Sequence, residues 1–255
     1  ELSVWTGRRG EGKSTLLGQM LVESVNQNRV VCAYSGELPA RQFKRFIIPQ
    51  IAGPWNLVER PDQRTGRAEY APRKDVLEAI DQWLEGNFLL TDLRQSNAHD
   101  EDNILSLFEY AYRRYGCSVY LVDNIMTAQL RGELELGHWG AQKAFVQRLS
   151  AFAKHYDVHV HMVAHPRKAG EDRGLTADDI AGAAEITNLA DNVFSVERMK
   201  DGAEMDSRIK IIKVRETGSR ETVPLMFDQK SRRYYDAGGT PDKKYSWEAA
   251  RDGHG

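Results

Sequence analysis

The stretch "TGRRGEGKST", Thr6–Thr15, decides how this 255-residue chain is read. Gly7-Arg8-Arg9-Gly10-Glu11-Gly12-Lys13-Ser14 fits the spacing G-x-x-x-x-G-K-[ST], a loop that cradles phosphates. That reading needs a strand before the loop and a helix after it. Leu2–Thr6 has strand character, and Lys13–Asn26 places Leu16, Leu17, Met20, Leu21 and Val25 on one helical face. Glycines let the backbone curl until its N–H groups face phosphate oxygens, and the helix adds the positive end of its dipole. Lys13 then reaches the β- and γ-phosphates, and Ser14 holds Mg²⁺. The predicted nucleotide-binding segment is Gly7, Arg8, Arg9, Gly10, Glu11, Gly12, Lys13, Ser14 and Thr15, with ATP or another NTP as ligand.

Outward from the loop, strand-length and helix-length runs alternate. Strands are predicted at Val30–Ser35, Phe88–Thr91, Ser118–Asp123 and Val158–His165, and helices at Ala40–Ile51, Asp75–Leu84, Glu101–Tyr115 and Trp139–His155. Gly53–Pro72 reads as a Pro/Gly/Arg-rich connection. Past a polar loop, Asn192–Glu197, Arg208–Val214 and Thr222–Phe227 read as strands joined by turns. The expected fold is α/β, a mostly parallel sheet flanked by helices and closed by antiparallel strands. One domain is expected over residues 1–236, followed by a polar, loose tail over 237–255.

Composition narrows the function. Hydrophobic residues make up 41 % and charged residues 28 % of the chain, an ordinary globular balance. The net charge of −2 means that any nucleic-acid binding must come from a local basic site. No run approaches the roughly 18 apolar residues of a membrane span. Cys32 and Cys117 share no metal spacing and read as buried, reduced thiols, which suits an intracellular, reducing compartment. The chain opens inside a strand without a Met, as an excised domain with an upstream partner would.

Two acids fit the chemistry of the loop. Asp123 ends the apolar run "VYLVD", where an α/β sheet presents its ligands; it reads as a metal-site acid or as a strand-ending cap. Glu37, in "YSGELP", follows the second strand; it reads equally as a water-positioning carboxylate or as a helix-entry residue.

The ordered set "TGRRGEGKST", "YSGELPARQF", "YLVDN", "MVAHPRK", "IAGAAEITNLADNVFSVER" and "IIKVRETG" resembles the RecA-like helicase domain of ring-shaped replicative helicases. These are the DnaB type, and more closely the mitochondrial Twinkle and T-odd phage primase-helicase branch. The likeness runs from Leu2 to Tyr235. It implies an ATP-driven DNA helicase that hydrolyses NTP at the interfaces of a homo-hexameric ring and moves on single-stranded DNA. By that resemblance Glu37 is the catalytic glutamate and Asp123 the metal-site acid, while His165 senses the γ-phosphate. Arg215 is an arginine finger reaching the neighbouring subunit's nucleotide, with Lys213 a second cation on the same side of its strand. Arg198 and Phe227 match positions that sandwich the base, although Phe227 also reads as core. Arg167, Lys168 and Arg173 are candidate DNA-phosphate contacts in a loop over 166–180; an ordinary solvated loop is the other reading.

Departures are present too. Asn188, a further DNA-contact candidate, stands where many relatives have Gln, and Asn124 follows Asp123. No zinc-ribbon or primase signature is present, so priming is not claimed for this chain; a primase-like or linker region upstream is a further expected partner. Two other functions share the motifs: a RecA-like recombinase or assembly-switch ATPase, and a nucleotide-binding module with little turnover. Cytoplasm or nucleoid, phage-infected cell and mitochondrial matrix all remain open.

Overall fold

The computed structural model describes residues 1–61, 68–91, 98–131, 133–166, 183–200 and 202–252. A sheet of nine strands runs through it. In chain order the strands are β1 (Leu2–Thr6), β2 (Val31–Ser35), β5 (Phe88–Leu90), β6 (Val119–Asp123), β7 (His159–Val163), β8 (Asn192–Arg198), β9 (Ser207–Val214), β10 (Thr222–Asp228) and β11 (Arg233–Asp236). A separate hairpin pairs β3 (Leu57–Pro61) with β4 (Ala68–Pro72). The helices are α1 (Lys13–Asn26), α2 (Ala40–Ala52), α3 (Lys74–Leu84), α4 (Glu101–Tyr115), α5 (Glu133–His155), α6 (Ala183–Leu189) and α7 (Ser246–Asp252).

The sheet order is β11-β10-β9-β8-β1-β7-β6-β2-β5. From β8 to β5 every pairing is parallel. From β8 to β11 every pairing is antiparallel. The parallel strands are covered on both faces, which is why their sequences read as near-continuous apolar runs. Alternation sorts their side chains. Leu2, Val4, Cys32 and Tyr34 join a core with Phe108, Tyr120, Phe145, Leu149 and Met162. Trp5, Val31 and Ala33 face the other way, into a core with Leu17, Leu21, Ile47, Ile51 and Ile80. Cys32 and Cys117 are free and buried, and burial pushes the Cys117 thiol up to about 12. Among the described residues no helix is long and apolar enough to cross a membrane.

The expected α/β architecture is present, with three corrections to its detail. The 53–72 connection holds the β3–β4 hairpin, whose pairing of Leu57 with Pro72 is a tertiary choice that local composition does not signal. The predicted helix Trp139–His155 is present as the long part of α5, with a short helical stretch from Glu133 set off from it by a break at Gly137 (φ 70°). α6 and β11 were not expected at all. The largest correction concerns the tail. Residues 237–252 are not loose: Tyr245 and Trp247 are 3 % and 2 % exposed. The Trp247 indole donates to Ile51 O at 3.2 Å, and the buried Arg233 guanidinium donates to Pro241 O (2.7 Å) and Lys243 O (2.6 Å). The polar, Gly-rich average hid two aromatic anchors, whose burial outweighs the composition around them.

Candidate active site

The phosphate loop leaves β1 at Gly7 and enters α1 at Lys13. Its glycines are needed for shape. A Cβ on Gly7 (φ 150°) would fall 2.5 Å from Val196 O, and one on Gly12 (φ 87°) would fall 2.0 Å from the Tyr234 hydroxyl. The first turn of α1 carries no acid to offset its dipole. Lys13 is buried and folded back, donating to Gly7 O (2.6 Å) and Arg8 O (2.8 Å). Burial holds its pKa below the usual lysine range, against the pull of Glu11, Asp123 and Glu37. Glu11 turns into the loop and accepts the Arg8 N–H at 2.8 Å, with its own pKa raised by burial. Glu11 thus braces the loop with a carboxylate, a group of the wrong sign to meet a phosphate.

Arg9, Gly10, Gly12, Lys13, Ser14, Thr15, Glu37, Asp123, Asn124, Val163 and His165 line one cleft of about 500 Å³. The C-terminal ends of β1, β2, β6 and β7 deliver these groups, as expected of an open α/β sheet. The Ser14 hydroxyl hydrogen-bonds the buried Asp123 carboxylate. Burial raises the Asp123 pKa, with Ser14 and Lys13 opposing the rise. A hydroxyl and a carboxylate side by side suit a hard cation such as Mg²⁺. Among the described residues no group of three or more His, Cys, Asp or Glu could hold a metal. A cation here would therefore take its other ligands from phosphate and water.

Glu37 and His165 meet through a residue the motif reading passed over. The Asn124 amide nitrogen donates to Glu37 Oε1 at 2.6 Å and to His165 Nε2 at 3.0 Å. Glu37 Oε1 and His165 Nε2 are 4.0 Å apart. Burial and Lys13 hold the His165 pKa below the usual histidine range, so the ring is neutral near pH 7. The hint in the sequence was position: Asn124 is the residue after the strand-ending acid.

Lys213 and Arg215 are elsewhere, outside the lining of the cleft. Lys213 donates to Thr187 O (2.8 Å) and Ala190 O (2.7 Å) at the end of α6. Arg215 donates to Asn188 O at 2.9 Å and pairs with Asp191 at 3.3 Å. The Asn188 backbone carbonyl is thus taken up by Arg215.

A second cleft, of about 480 Å³, opens beside the phosphate loop and is lined by Glu11, Gly12, Arg198, Asp206, Phe227 and Tyr234, among others. Arg198 and Phe227 are together there, as the base-sandwich reading requires. Tyr234 was missed by the sequence; its ring packs on Phe227 with centroids 4.9 Å apart. Arg167, Lys168 and Arg173 lie outside the described residues.

This geometry can be set beside known proteins. No family model matches the chain. A Twinkle homolog of Arabidopsis thaliana, described as chloroplastic/mitochondrial, is 25 % identical over 94 % of this chain. The chain spans 35 % of that relative's length. Among solved structures, one ATPase domain superposes with a TM-score of 0.74 at 15 % identity, covering 92 % of this chain and 84 % of that one. A DnaB-like replicative helicase, described with its interactions with primase, gives 0.75 at 16 % identity, over 92 % and 57 %. The fold is RecA-like. A KaiC-like protein from Pyrococcus horikoshii shares that fold at 0.61 and 15 % identity, over 92 % of this chain and 88 % of its own. The resemblance of this RecA-like chain to DnaB-type helicase domains, read from its motifs, is borne out in sequence by the Twinkle homolog and in fold by the ATPase domain and the DnaB-like helicase.

Proposed function

We propose that the chain is the ATP-hydrolysing motor of a ring-shaped DNA helicase. One observation carries the reading. Lys13, Ser14, Asp123, Glu37 and His165 converge on one cleft, while Lys213 and Arg215 sit outside it on the surface of the same chain. The loop N–H groups and Lys13 bind the phosphates; Arg198, Phe227 and Tyr234 receive the base. Ser14 and Asp123 hold Mg²⁺, which when bound neutralises phosphate charge. Glu37 orients water behind the γ-phosphate, and His165 lies within reach of the same end of the cleft. Arg215 and Lys213 of a neighbouring copy complete the charge stabilisation, so nucleotide is held between subunits. Six copies around single-stranded DNA would add up the weak phosphate contacts of Arg167, Lys168, Arg173 and Asn188. A primase-like or linker region upstream is the further partner proposed.

A mixing experiment tests the shared site. Glu37→Gln and Arg215→Ala are each expected to lose DNA-stimulated ATP hydrolysis. Mixing the two restores some interfaces with one intact Glu37 and one intact Arg215, and turnover should exceed the sum of the separate activities. No gain on mixing, in assemblies shown to exchange subunits, rules out a finger that acts across chains. The KaiC-like match keeps an assembly-switch ATPase as a second reading; strand displacement on a forked substrate separates it from a helicase.

A further inference from the structure

Asn124 is a buried amide between two groups that the proposed reaction uses, and its orientation is fixed. Its Oδ1 accepts the Met126 N–H at 2.9 Å, so its NH₂ must face Glu37 and His165. Both protons of that NH₂ are committed, one to the carboxylate and one to the ring. The backbone beneath is clamped as well. Thr127 Oγ1 donates to Asn124 O at 2.7 Å, and Gly36 N donates to Asp123 O at 2.8 Å. A Cβ on Gly36 would fall 1.8 Å from Thr127 Oγ1, so the Thr127 side chain packs directly onto the glycine that follows β2. Tyr34, buried in β2, adds a hydroxyl contact to Thr127 O at 3.1 Å.

The partners differ sharply in freedom. The Asn124 residue is 2 % exposed, whereas the Glu37 side chain is 61 % exposed on the loop after β2. A carboxylate so open to water would spread over its rotamers unless something held it. Asn124 is what holds it, through a short bond to a charged acceptor. That bond occupies Oε1 and leaves Oε2 for a water.

We propose that Asn124 is a positioning residue: its amide ties the water-orienting carboxylate of Glu37 to the ring of His165, so that the two move as one unit. This deepens the hydrolytic reading above and rests on it. The bond also fixes a chemical state. A His165 Nε2 that accepts from Asn124 carries no proton, so the neutral ring is the Nδ1–H tautomer. Arg9, Lys13, Asp123 and Glu37 are the charged groups grouped with that ring in the cleft.

Asn124→Ser tests the role apart from its fold. Serine keeps a capping oxygen for the Met126 N–H but removes the amide donors. In the 255-residue chain with single-stranded DNA and Mg²⁺-ATP, kcat should fall by about tenfold or more, with KM for ATP held within about threefold. In ¹⁵N-histidine spectra at about pH 8, where the ring is neutral, His165 should leave the Nδ1–H tautomer for Nε2–H. Wild-type turnover, or unchanged His165 ring shifts, in Asn124→Ser overturns the proposal. Glu37→Gln in the same assay judges the reading beneath it. Full turnover there removes Glu37 from the chemistry, while the His165 signature still reports on Asn124 without any turnover.

Discussion

The parallel and antiparallel halves of this sheet treat their charged residues in opposite ways. At the ends of β1, β2, β6 and β7, ionisable groups are pushed together, and burial holds Lys13 below and Asp123 above their usual ranges. On and just past β9, Lys213 and Arg215 are spread over the carbonyls at the end of α6, where cations meet a helix dipole favourably. The first arrangement is under electrostatic tension that a Mg²⁺-phosphate group would relieve. The second is met by hydrogen bonds to carbonyls, although burial and the neighbouring Arg215 also hold the Lys213 pKa below the usual lysine range. Under the proposed function, cations held outside the cleft of their own chain are placed to meet the nucleotide of a second copy.

The sharpest way to break that contrast is Arg215→Ala. Loss of the proposed finger should lower DNA-stimulated turnover by about 10³-fold, with nucleotide affinity changed only a few-fold. A variant that kept full turnover, measured beside nucleotide binding, would leave the second half of the sheet without a catalytic part. Next comes Trp247→Ala. Its indole packs in the same core as Ile47, Ile51 and Ile80, so truncation should cost about 3 kcal/mol. Denaturant melts of the two chains read this directly; a change near zero would return residues 237–252 to the status of a loose tail.

The smallest effect concerns charge in mid-strand. His161, in the centre of β7, accepts the Trp5 indole N–H at 3.2 Å, and burial pushes its pKa down to about 3. Unfolding restores a pKa near 6.5, so the unfolded chain takes up the proton first as pH falls. Stability is therefore whole above about pH 6.5 and declines from there toward about pH 3, by about 2 kcal/mol at pH 5. Unfolding free energies at about pH 7.5 and about pH 5, for wild type and His161→Gln, should show that decline shrink in the variant. An identical slope in both would mean that mid-strand charge is as well tolerated as charge at the strand ends.

Much of this was legible in the sequence, for a definable reason. Buried parallel strands announce themselves as short apolar runs, and a glycine loop ending in Lys-Ser has few other uses. Leu2–Thr6 and Lys13–Asn26 were accordingly readable one segment at a time, whereas Glu37 and Asp123 kept two readings each and His165 was named only through the resemblance carried by the ordered motifs. Asn124 was not, because an amide beside an acid has no signature until its two partners are placed. Tyr234 was not, because its strand is recognised only by pairing with β10. The tail was misread because Tyr245 and Trp247 are two residues in a polar average.

The order of residues was enough to set the parts of the cleft: which residues curl, which carry charge, and which strands deliver them. Which of those charges face one another was settled only when the chain packed. Asn124 joins Glu37 to His165, and Arg215 lies on α6 away from its own cleft. Local pattern fixes what a segment can be, because backbone propensity and burial act over a few residues. Contacts between residues 87 or 41 positions apart are set by how the sheet is ordered, and no local pattern encodes that.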